Sequence, residues 1–182
     1  MKRNYTNIIL AAVLILLAAA MRIINRELHL YNLAPICAVG LFAGSIIKDK
    51  RYAYLLPLLS MFIADIYFQF FTSVTGFYGI EQLLVYISMV LVTFLGTKMG
   101  NVTGVKVVGY SLISSLIFFV VSNFGSFLKG WYGLDFNGLV TTYTVAIPFF
   151  KNTVTSELTG AIVLFGAYFL GQKAFRTKVQ QA

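Results

Sequence analysis

Four ionisable side chains interrupt otherwise apolar stretches of this 182-residue chain: Arg22, Asp65, Lys151 and Glu157. An ionisable group within hydrocarbon is expensive, so it faces protein rather than lipid and finds a partner. Two chemistries fit. One is an ion bridge that ties helices together, such as Asp65 with Lys151 or with Arg22. The other is the polar floor of a ligand pocket, whose charged groups must be positioned beforehand. Asn123 and the run Asn152, Thr153, Thr155, Ser156 add hydrogen-bonding groups to the same set. Ser111, Ser115 and Ser122 share one helical face and read first as close helix contacts through small side chains.

Other chemistries are excluded by what is missing. The chain has no G-x-x-x-x-G-K-[ST] for nucleotide phosphates and no G-x-S-x-G elbow. The single histidine, His29, cannot build His-rich zinc chemistry. The single cysteine, Cys37, excludes an internal disulfide and a multi-Cys metal site, and reads as a small buried residue. Asp65 and Glu157 as a carboxylate pair have no supporting motif. The expectation is a protein that is not an enzyme, with no catalytic residue, no cofactor and no metal.

The elements that must position these groups follow from composition. Apolar residues make up 59% of the chain and charged ones 11%, whereas a soluble domain carries about 25% charged residues. With a mean hydropathy of +0.83, the solvent is a bilayer, and little chain remains for a soluble domain. Residues 1–182 read as one integral membrane domain with apolar runs at about 5–24, 33–47, 52–71, 81–97, 105–122 and 148–170. Six spans place both termini on one side. Lys2, Arg3, Lys48, Lys50, Arg51, Lys98, Lys106, Lys173, Arg176 and Lys178 fall there, against Arg22, Arg26, Lys129 and Lys151 opposite. That bias puts both termini in the cytoplasm of a multi-pass protein. The net charge of +8 is then an orientation signal, not a nucleic-acid surface. The segment from Lys2-Arg3 to Ala18-Ala19-Ala20 also imitates a cleavable secretory signal, the rival to a retained first helix.

In this frame Arg22 lies at the outer end of the first span and Lys151 near the outer start of the sixth. Asp65 and Glu157 each lie six residues deeper, about 9 Å at 1.5 Å per residue. The outer half of the bundle therefore holds the candidate site. Gly40-x-x-x-Gly44 and Ala34-x-x-x-Ala38 mark a helix face made for close approach. Pro35 and Pro148 read as first-turn residues and Pro57 as a kink in the third span. Residues 123–147, rich in Gly and aromatics including Trp131, read as a long outer loop. It is an interfacial anchor or a lid over the pocket.

Three blocks carry a resemblance: Asn32-Leu-Ala-Pro35-Ile-Cys-Ala38-Val-Gly-Leu-Phe42-Ala-Gly44, Pro57-Leu-Leu-Ser60-Met-Phe-Ile-Ala-Asp65, and Asn123-Phe-Gly125 with Ala146-Ile-Pro148-Phe-Phe-Lys-Asn152-Thr. With Arg22 ahead of them, they resemble a bacterial family of small integral membrane proteins. That family in turn is similar to the substrate-binding S components of energy-coupling-factor (ECF) vitamin transporters. The resemblance implies an all-α membrane protein of the bacterial inner membrane, a compact bundle of six transmembrane helices with an outward-facing pocket. It implies a vitamin-like small-molecule ligand and, as partners, a transmembrane coupling subunit with ATPases. The binding set is then Arg22, Asn32, Asp65, Asn123, Trp131, Lys151, Asn152 and Glu157. The first helix departs from the docking pattern of S components: Ala11, Ala12, Ala18, Ala19 and Ala20 repeat at seven residues and not at four. A transporter acting alone stays open, as does a structural membrane protein of envelope or cell-shape assembly that recognises other helices through its small-residue faces.

Overall fold

The computed structural model describes residues 9, 12–13, 15–17, 20–25 and 35–180, with residues 174–180 described by backbone alone. Asn32, His29, Arg26 and most of the first alanine row lie outside the described residues. The described residues form helices and short connections, with no strand among them. The order is α1 (Ile15–Asn25), α2 (Ile36–Ile46), α3 (Lys50–Phe71), α4 (Ile80–Thr97), α5 (Gly104–Leu128) and α6 (Phe136–Gln180). Side chains cap several starts. Asp49 accepts the Arg51 N–H at 2.9 Å before α3, and Asp135 accepts the Gly138 N–H at 2.7 Å before α6, each satisfying a donor the helix cannot.

Helices α3, α4, α5 and the Phe136–Lys173 stretch of α6 are long and apolar enough to cross a membrane. Their outer faces agree. Leu55, Leu59 and Ile63 on α3, Leu83, Ile87 and Leu91 on α4, Leu112 and Leu116 on α5, and Ile162 and Val163 on α6 are all exposed. An apolar surface of this extent suits lipid, and helices keep their backbone polar groups satisfied there. This is an α-helical membrane protein.

Helix α2 is different. Its 11 residues span about 16 Å, half of a hydrocarbon core of about 30 Å, and every residue from Cys37 to Gly44 is buried. It sits at the centre, touching α3, α4, α5 and α6. The Phe42 ring meets Phe165 and Tyr168 edge-on, with centroids 5.2 and 5.5 Å apart. The small-residue row is used against α4: a Cβ on Gly44 would lie 2.1 Å from the Thr93 carbonyl oxygen, and one on Gly96 2.5 Å from that of Leu41.

Two expectations are corrected. The expected loop 123–147 is mostly helix: α5 runs on to Leu128, and α6 begins at Phe136. Of its glycines only Gly130 and Gly133, with φ of 77° and 94°, make the turn. Gly125 and Gly138 are helical, and each allows a close contact, Gly125 with Glu81 of α4 and Gly138 with the Gly133 carbonyl. Glycine marks close approach here as often as a bend. Pro148 is not at a first turn. It lies inside α6, which continues through it; in a membrane helix the carbonyl that loses its partner is tolerated.

Candidate functional site

The charged residues separate into two groups. In the first, Arg22 of α1 reaches Asp65 of α3, with Nη1 2.7 Å from Oδ1. The guanidinium also donates to the Met61 carbonyl at 3.3 Å and lies 5.5 Å from the Phe68 ring centre. The other carboxylate oxygen accepts from Gln82 Nε2 at 2.8 Å and from the Tyr86 hydroxyl at 2.7 Å, both on α4. Asp65 is thereby partnered from two other helices and is 1% exposed.

The connection 72–79 closes over this cluster. Gln69 Oε1 accepts from the Gly76 and Phe77 N–H groups, and Gln82 donates to the Gly76 carbonyl at 2.9 Å. A Cβ on Gly76 would lie 2.0 Å from the Asp65 carbonyl oxygen, so only glycine lets the strap lie this low. In the same strap, burial pushes the Tyr78 phenol above its ordinary pKa, with Arg22 acting in the opposite direction. A cavity of about 20 Å3 adjoins Arg22, bounded by Ser60, Met61, Pro35 and Ile36. It has room for one water.

The second group is Glu157 alone. Its carboxylate accepts from the Cys37 N–H at 3.0 Å and from the Ala38 N–H. These are the second and third residues of α2, whose preceding residue, Pro35, offers no side-chain cap. A carboxylate from α6 thus caps a helix that begins inside the bundle, where N–H groups and the helix dipole favour negative charge. Gly160, one turn further on, makes room: a Cβ there would lie 2.2 Å from that of Pro35.

The other expected site residues do not join these groups. Lys151 and Asn152 are exposed, and Lys151 has no ion pair among the described residues. Trp131 is 66% exposed, and its indole N–H donates to Glu81 at 3.1 Å. Glu81 also pairs with Lys129 at 3.0 Å. Trp131 therefore ties the α5–α6 turn to the start of α4 instead of covering a charged pocket.

Asn123 leads to a separate opening. Between Thr142 and Ser156 no residue of α6 is buried, although both of those residues are. Along this stretch, which contains Pro148, a cavity of about 190 Å3 lies between α6 and α5. The α5 wall is Phe118, Phe119, Ser122 and Asn123; the α6 wall is Ala146, Phe149, Phe150 and Thr153. The Tyr143 hydroxyl donates to the Val120 carbonyl at 2.7 Å, tying α6 to α5 beside the gap. Asn123 Nδ2 donates to Phe119 O at 2.8 Å, and its Oδ1 has no partner among the described residues. Among the described residues no ionisable side chain lines the cavity.

Sequence reasoning missed Gln82 and Tyr86, although their four-residue spacing on an apolar helix places two polar groups on one face. It also missed the phenylalanines of the cleft, which no pattern separates from lipid-facing ones.

A buried ion pair, a capped internal helix and an uncharged cleft in an apolar bundle define a polytopic α-helical membrane protein. The chain belongs to the family described as "Family of unknown function (DUF6580)", which matches residues 2–179. Neither a curated protein nor a solved structure matches the chain.

Proposed function

We propose that this protein is a six-span component of the bacterial inner membrane, with both termini cytoplasmic, that binds a vitamin-like small molecule and acts in its uptake. Its role is binding rather than catalysis, in the manner of an S component, either alone or energised by a separate coupling subunit with ATPases. The observation that carries the reading is the α5–α6 cleft, with aromatic rings and the Asn123 amide oxygen, set between the last three turns of α5 and a stretch of α6 that begins ten residues after its start. Apolar walls with few polar groups are the usual make-up of a small-molecule site. On the charge-biased topology this end of the bundle faces outward.

The charged residues have a different part in this reading. Arg22, Asp65 and Glu157 hold helices in place, and the ligand is met by Asn123 and its neighbours. An interaction protein working through its small-residue faces has less support, because Gly40 and Gly44 already press on α4.

Native mass spectrometry of mildly extracted protein tests the proposal. A stoichiometric small-molecule adduct is expected, lost when Ala146→Phe fills the cleft. A protein without adduct that instead carries a second polypeptide would sink it. Fusing a periplasm-dependent reporter to either terminus checks the topology, and activity at either end would overturn it.

A further inference from the structure

We infer that the α5–α6 cleft takes an uncharged planar ring compound bearing an amide or lactam edge. This rests on the small-molecule reading above and narrows it to a ligand class.

Charge comes first. Among the described residues no ionisable group lines the cleft. The buried charges nearest in type are committed elsewhere, Asp65 to Arg22, Gln82 and Tyr86 and Glu157 to the start of α2. Among the lining residues a charged ligand finds no counter-charge to offset its lost hydration. Lys151, beside Phe150, is exposed and is not part of the lining, so a neutral ligand is favoured over either ion.

Shape comes second. Phe119 of α5 and Phe150 of α6 pack on each other across the two walls, centred 4.8 Å apart and tilted by 49°, so a flat partner meets this ring pair from one side, next to Phe118 and Phe149, and not between the rings. Aromatic faces at such angles offer offset and edge contacts to a flat partner. The volume of about 190 Å3 compares with a cavity of about 150 Å3 that holds benzene, so one ring with a substituent fits.

Hydrogen bonding comes third. Asn123 has spent one N–H on Phe119 O and keeps the other N–H and its Oδ1. A carboxamide with one donor and one acceptor free matches another –CO–NH– group in a reciprocal pair. The Ser122 hydroxyl donates to Phe118 O at 2.7 Å and can still accept. The Thr153 hydroxyl is held only at 3.4 Å from Phe149 O and is free to turn.

The test uses the full chain in lipid nanodiscs and three matched probes: benzamide, benzoate and benzylammonium. Saturation-transfer NMR is read as the difference between wild type and Ala146→Phe, which cancels partition into lipid. Benzamide is expected to give the difference signal and the two ions none. Asn123→Leu, with two hydrogen bonds removed, should weaken benzamide about tenfold or more, with unfolding temperatures confirming that both variants fold. An ion bound as well as benzamide, or benzamide binding untouched by Asn123→Leu, overturns the ligand class. If none of the probes responds to Ala146→Phe, the class also falls. The native-mass adduct then decides separately whether the small-molecule reading survives.

Discussion

The buried pair of Arg22 and Asp65 makes the sharpest quantitative prediction. The Arg22 side chain is 15% exposed and that of Asp65 1%. Asp65→Leu leaves the guanidinium with only the Met61 carbonyl and the Phe68 ring, and leaves the Tyr86 hydroxyl without its acceptor. Removing one partner of a buried pair costs about 3–5 kcal/mol, chiefly because the other charge stays behind. At about 2–4 °C per kcal/mol for a chain of this size, unfolding in detergent should fall by about 6–20 °C. Arg22→Met/Asp65→Leu removes both charges, so the double variant should recover about 2–3 kcal/mol relative to Asp65→Leu. The measurement is a double-mutant cycle of unfolding free energies, run alongside native mass spectrometry. The adduct should persist in every variant that folds, because no residue of this cluster lines the cleft. Two results would refute the reasoning. One is a Asp65→Leu protein within about 1 kcal/mol of wild type that has lost its adduct; the other is a double variant as unstable as the two singles summed.

Two further predictions concern the placing of α2. Glu157→Leu leaves the Cys37 and Ala38 N–H groups buried and unpaired, at about 1–3 kcal/mol each. Glu157→Gln keeps one acceptor and should cost about half as much, and exchange of those two amides measured by mass spectrometry should speed up in the same order. In Gly44→Ala the new methyl would meet the Thr93 carbonyl oxygen at 2.1 Å, against an ordinary contact of about 3.5 Å. Helices α2 and α4 must then part by about 1 Å, a loss of about 1–3 kcal/mol or more; an unchanged unfolding temperature would show that they do not touch there.

Much of the molecule was legible from residue types. Low charge and long apolar runs require helices in lipid, since no other open structure satisfies its backbone there. The depth of Asp65 and Glu157 required partners for both, because an unpaired charge in such a place is too costly. The Gly40 and Gly44 row announced a close neighbour, though not which one. Where local signals misled, they were ambiguous in kind. The glycines of 123–147 suggested a loop, yet Gly125 and Gly138 serve helix contacts, and Pro148 suggested a helix start within a helix already under way.

The sequence by itself determined the solvent, the helical class and the need for every buried charge to be answered. Those follow from hydration and backbone hydrogen bonding, which depend on residue type and local spacing alone. Only the tertiary structure decided which groups answer which. Arg22, rather than Lys151, meets Asp65; Glu157 closes the start of α2 from 119 residues away at Ala38; Asn123 faces a cleft free of charge. Such pairings depend on how helices are rotated and stacked against one another. That is set by close contacts at Gly44, Gly96 and Gly160 between segments far apart in the chain, and no local pattern encodes it.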